Sequence, residues 1–201
     1  MYNRIKFIAL AGVTALIAGC ASNSNNDDDV TAFTALLDDA TTMAAGLVDL
    51  DTGAAVADER TNLPDSGAMT YTGYVGGDVA GAGMVGELTL NATFAASDTG
   101  SITGSATGFQ HETDGAYTGT LDVTLGEISD GGAPIDADVL SVDLNGDLQN
   151  GGATYATSIS LDGSFFGGAD NGSDDPTAVG GAALGFVGTE GFDGAFVATS
   201  P

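Results

Sequence analysis

Glu87-Leu88-Thr89-Leu90-Asn91-Ala92-Thr93-Phe94 changes polarity at every residue. Leu88, Leu90, Ala92 and Phe94 fall on one side, and Glu87, Thr89, Asn91 and Thr93 on the other. A period of two describes a strand with one face in a core and the other in water. The texture recurs downstream. Tyr117, Gly119, Leu121, Val123 and Leu125 alternate with Thr118, Thr120, Asp122 and Thr124. Leu140, Val142, Leu144 and Leu148 alternate with Ser141, Asp143, Asn145 and Asp147. Tyr155, Thr157, Ile159 and Leu161 oppose Ala156, Ser158 and Ser160.

Less regular strands are expected over 69–75, 101–109, 179–188 and 192–199. Together these make about eight antiparallel strands, joined by turns such as Asp98-Thr99-Gly100 and Asp130-Gly131-Gly132. Eight strands can close on themselves so that inward side chains fill the interior and no sheet edge is left. Gly73, Gly104, Gly119, Gly163 and Gly194 suit bends in such a barrel. A barrel embedded in an outer membrane needs an apolar outer band and aromatic girdles. Here the alternate face is Thr, Ser, Asp, Asn and Glu, and the chain has no Trp. The expected fold class is therefore all-β: a soluble barrel over 68–201, dry inside and wet outside, and a monomer.

Upstream the period changes. Val30, Phe33, Leu36, Leu37 and Ala40 recur at helical spacing, so a helix from Val30 to Leu47 is expected, with Asp29 as its cap. It either packs on a barrel mouth or serves as an amphipathic spacer. Asp51 to Gly67, with Pro64, reads as a loop, which completes a helix-and-loop region over 30–67.

The N-terminus carries the most specific signal. Arg4 and Lys6 precede an apolar run from Phe7 to Ile17, the pattern of a secretory signal peptide over 1–19. The run is shorter than the roughly 20 residues a membrane span needs. It ends in Leu16-Ile17-Ala18-Gly19-Cys20, which resembles the lipobox of bacterial lipoproteins. That resemblance implies cleavage before Cys20 and lipid on its thiol. Two or more acyl chains anchor stably, at about 0.8 kcal/mol per buried CH₂. Ala21, in place of Asp, implies sorting to the outer membrane by analogy with enteric bacteria. The polar run 20–29 is expected to be an uncompacted tether.

Charge excludes whole classes of partner. Once residues 1–19 are removed, 28 acidic residues face Arg60 alone, leaving about −27. Phosphate binding needs clustered Lys and Arg, so nucleic acid is excluded, and anionic lipid fails for the same reason. Such a charge serves a cationic partner, or simply solubility in a salty medium.

Catalytic constellations lack parts. Beyond residue 20 there is no Lys and no further Cys, and His111 is the only histidine, so Ser–His, Cys–His and zinc sites cannot be assembled. The expectation is a non-catalytic protein with no cofactor and no metal. His111 reads as a solvated turn residue, with haem ligation as the alternative. Asp143-Leu144-Asn145-Gly146-Asp147 and the loop from Asp170 to Asp175 read as Asp/Gly turns, with weak calcium binding as the alternative.

The C-terminal strands add a family resemblance. Leu161-Asp162-Gly163-Ser164-Phe165-Phe166-Gly167, then Ala178-Val179-Gly180-Gly181, then Gly185-Phe186-Val187-Gly188 resembles the β-barrel domain of transferrin-binding protein B. That superfamily includes factor H-binding protein and related surface lipoproteins. Leu63-Pro64, Ser66-Gly67, Tyr71 and Gly73 resemble the entry to that barrel in single-barrel members. The resemblance implies an eight-stranded barrel displayed at the cell surface that catches a protein or a small solute. It carries over no ligand-contact residue. The alternative is a structural or charge-shielding envelope lipoprotein without a specific ligand.

Overall fold

The computed structural model describes residues 27–50, 55–60, 62–129, 139–167 and 175–201. The expected signal peptide over 1–19, Cys20, most of the expected tether, the expected Asp130-Gly131-Gly132 turn and all but Asp175 of the acidic 170–175 stretch lie outside the described residues.

One helix, α1 (Asp27–Ala45), precedes ten strands. These are β1 (Asp58–Glu59), β2 (Gly67–Val79), β3 (Ala82–Ala95), β4 (Thr99–His111), β5 (Gly115–Ala116), β6 (Leu121–Ser129), β7 (Val139–Asn150), β8 (Ala153–Gly167), β9 (Ala178–Val187) and β10 (Glu190–Thr199). The eight long strands run up and down in chain order, each pairing antiparallel with the next. β10 then pairs back onto β2, from Phe192↔Val79 to Thr199↔Thr72, and closes the barrel. The expected eight-stranded barrel is thus present. β1 and β5 are short additions beside β8 and β4.

Alternation decides what fills it. Leu88, Leu121, Val142 and Ile159, read from four separate strands, all lie in one buried core. Burial of a side chain of this size stabilises by roughly 1.5–3 kcal/mol. The barrel has two unlike ends. At one, the strands turn tightly through Ala80-Gly81, Gly151-Gly152 and Gly188-Thr189, with positive φ at Ala80, Gly81, Gly151, Gly152 and Gly188. Those φ values match the twist of paired strands in short hairpins. The other end receives the chain before β2 and carries the β3–β4, β6–β7 and β8–β9 connections. There Leu63 is buried in the core, its N–H donating to Asp98 Oδ1 at 2.8 Å. Tyr71 O–H donates to the Pro176 carbonyl at 3.0 Å.

Four sequence expectations need correction. The helix begins at Asp27, so Asp29 lies within its first turn, and Asp27 to Asp29 belong to the helix and not to the expected tether. The helix does not sit at a barrel mouth. Ala44 and Leu47 are buried with Phe166, Ala178 and Val197. These alternate with the core residues Phe165, Val179, Phe196 and Ala198, so they point outward, and α1 covers the outer wall. Tyr117 and Gly119 precede β6, which starts at Leu121. Leu125 faces water rather than the core, because the β6–β7 register shifts between Val123 and Leu125. An extra residue in a ladder inverts the facing of everything after it, which returns Ile128 to the interior.

Candidate binding surface

With the interior filled by side chains, the surface open to contact is the outer wall. α1 touches β2, β3, β4 and β10 and covers that side. Asp39 accepts a hydrogen bond from the outward Tyr74 hydroxyl, and burial, then Asp39 and Glu87, raise the Tyr74 pKa.

On the other side the wall is bare. Outward positions on β9 carry Leu184 and Phe186, 53% and 60% exposed, and β6 carries Leu125 at 49%. Large apolar side chains held this far into water in a sheet interior are unusual. Leu184 and Phe186, two apart on β9, form a small exposed apolar patch, while Leu125 stands three strands away across Asp143 and Ser160. The ladders set their neighbours. Phe186 lies between Ser158 on β8 and Gly191 on β10, so no side chain shields its β10 flank. Leu184 lies between Ser160 and Asp193, with Asp162 one pair further along β8. A shallow groove of about 530 Å³ runs beside Phe186, lined by Asn145, Asp147, Ser158, Thr157 and Gly188 among others.

Asp143, Asn145 and Asp147 belong to this wall. Of the two readings of this stretch, strand and Asp/Gly turn, the strand holds, for all three lie inside β7. Asp143 Oδ1 accepts from Ser160 Oγ at 2.6 Å, and Asn145 Nδ2 donates to Thr124 Oγ1 at 2.7 Å. Side chains spread along a strand in this way do not converge as the ligands of a calcium loop do. Among the described residues, no group of three or more His, Cys, Asp or Glu side chains could hold a metal ion.

His111 is not the solvated turn residue that its sequence position predicts. It ends β4 and is 5% exposed, because the 112–114 turn folds back over it and β5 pairs with its strand. The Asp114 N–H donates to Nδ1 at 3.2 Å, and Asp114 Oδ2 stands 3.5 Å from the same nitrogen. Tyr117 packs on the ring at 6.0 Å and donates to Asp114 Oδ2 at 3.3 Å. The group ties the β4–β6 connection to the tight-turn end of the barrel and does not line the groove.

Set against protein-family models, curated proteins and solved structures, the chain matches none. The residues therefore carry the argument alone.

The aromatic groups at both ends give the alkaline limit of the fold. Burial, followed by Asp114 and Tyr155, pushes the Tyr117 hydroxyl up to about 12. Burial and Asp175 raise Tyr71 as well. Each stays neutral in the fold at a pH where it ionises in the unfolded chain. Their contribution is complete below about pH 10 and is lost as pH climbs through the raised values. A spectrophotometric titration is expected to show Tyr71, Tyr74 and Tyr117 ionising late, and together with unfolding. A single titration step near pH 10 in the folded protein would contradict this.

Proposed function

We propose that the protein is a lipoprotein of the outer membrane, held by lipid on Cys20, which binds a protein or solute without catalysis. Its recognition surface is the bare wall of β6, β7, β8 and β9. The observation that supports this reading is the pairing of exposed Leu184 and Phe186 with carboxylates at Asp147, Asp162 and Asp193, opposite a wall that α1 covers. Such a wall suits a partner with Lys or Arg on its contact face. Their methylene stems can cover Leu184, their head groups meet the carboxylates, and a guanidinium can lie on the Phe186 ring. Arg60, the only Lys or Arg among the described residues, follows β1, and its N–H donates to the Phe165 carbonyl at the other end of the barrel. The resemblance of Leu161 to Gly167, Ala178 to Gly181 and Gly185 to Gly188 to the β-barrel domain of transferrin-binding protein B implies the same reading.

Protease shaving of intact cells tests display, and Cys20→Ser tests the anchor. The wild type is expected in the outer-membrane fraction and sensitive to added protease, and the variant is expected to be released. For recognition, an arginine-rich peptide is titrated against the mature chain. Phe186→Ser with Leu184→Ser is expected to weaken binding by about tenfold or more, the size of an aromatic hot spot. Val56→Ser, at an exposed apolar residue ahead of the barrel, is expected to leave it unchanged. Equal losses from both would mean diffuse attraction to net charge, and the wall would not be the site.

A further inference from the structure

The path of α1 has a geometric consequence for how the barrel stands on its membrane. Its last turn and the residues after it, Met43, Ala44 and Leu47, pack with Phe166, Ala178 and Val197. Phe166 and Ala178 lie where β8 ends and β9 begins, at the end that carries the long connections. Further back along the helix, Asp39 meets Tyr74 midway along β2. The N-terminal half is left to make the contacts with β4 and β5, and β5 pairs with the His111 end of β4, at the tight-turn end. The helix therefore begins at the tight-turn end and finishes at the long-connection end. Buried Phe33, Ala44 and Leu47 fix it along the wall.

We infer that α1 acts as a strut which sets the barrel with its tight turns toward the lipid and its long connections away from it. The inference rests on Cys20 carrying the anchor. Only Ala21 to Asn26 separate that residue from the helix, a span of at most about 25 Å when fully stretched. The 19 residues of α1 are about 28 Å long. To lay the long-connection end on the membrane, the tether would have to run back along the whole helix and still leave Cys20 at the lipid surface. It is too short. The Ala80-Gly81, Gly151-Gly152 and Gly188-Thr189 turns are thus on the membrane side, and Ser97 and Asp98 are presented outward. Phe186, close to the Gly188 turn, then sits low on the wall, at the height of the outward loops of a protein seated in the same membrane.

The test uses the full lipidated chain in zwitterionic vesicles that carry a quencher on the lipid headgroup. Cys20 is the only cysteine and its sulfur is consumed by the lipid, so an introduced cysteine takes a fluorophore uniquely. A probe at Thr189→Cys is expected to be quenched several-fold more than one at Ser97→Cys. Ala40→Pro, which breaks the strut in mid-helix, is expected to bring the two signals together. Cys20→Ser is expected to leave the vesicles. If that variant stayed bound, the anchor would fall and the orientation with it. If it left, but the two probes in the lipidated chain were quenched equally, or Ser97→Cys more strongly, the orientation alone would be overturned.

Discussion

Phe165→Ala is expected to lower the free energy of unfolding by about 3–5 kcal/mol. The side chain is fully buried. Its ring meets Tyr71 edge-on at 6.2 Å and Phe94 at 5.8 Å, so three strands share one aromatic contact. Removing the ring leaves a void that the β8 backbone cannot close, because Phe165 is paired with Val179 on β9 and its carbonyl accepts from the Arg60 N–H on the other side. It also loosens Tyr71, whose hydroxyl holds the Pro176 carbonyl. Domains of this size are stable by only about 5–15 kcal/mol, so a large part of the total is at stake. Urea titration would register the loss as a lower midpoint with an unchanged slope. A midpoint equal to that of the wild type would mean that this end of the barrel is not filled as described. Phe166 is the useful contrast. One residue on, it points outward under Ala44 and Leu47, so its loss is expected to free α1 while the barrel persists.

The second large effect is expected at Gly104, through the backbone. Its φ of 151° is one that side chains other than glycine's rarely adopt, and an added Cβ would run into the Thr89 carbonyl oxygen on β3. Strain of this kind costs about 1–3 kcal/mol, and forcing the strands apart adds a comparable amount. The site also matters for closure, because the β4–β6 register shifts between Ser101 and Ser105, around this residue. Gly104→Ala is therefore expected to destabilise by about 2 kcal/mol or more. Gly191→Ala is the control. A Cβ there meets nothing within 4 Å, so its effect is expected to be neutral or stabilising by up to about 1 kcal/mol. Parallel thermal melts compare the two, and equal shifts would remove the argument for a tight bend at Gly104.

What the sequence discloses follows from how locally each feature is encoded. Leu88 to Phe94 and Leu140 to Leu144 alternate without interruption, and their interior facing was readable directly. Leu125 was not. It keeps the rhythm of Leu121 and Val123, and only the partner strand shows that Thr124 is an extra residue in the ladder. Asp143 to Asp147 has the composition of a turn but is carried through by its pairing with β6 and β8, while Gly146 pairs with Leu121 and Thr157. His111 looked exposed because the turn that buries it comes after it in the chain. The bare wall left one trace that a reading by alternation passes over. From Ala178 to Val187 there is no polar residue at all, so both faces of β9 are apolar. In a closed barrel that leaves the outer face of β9 apolar as well as the inner one. Near Ala178 the cover is supplied by the residues around Leu47, and at Leu184 and Phe186 the face is open.

The fold rests on closure of the eight long strands into one sealed barrel, with β10 paired back onto β2. Residue-resolved hydrogen exchange tests it most directly, on the mature Cys20→Ser chain in buffer without detergent. The closing seam between β2 and β10, through Tyr74, Val75, Phe196 and Val197, is expected to be as protected as the β7–β8 ladder. Rapid exchange along that seam, with β7 and β8 still protected, would mean an open sheet with two free edges and would contradict the account.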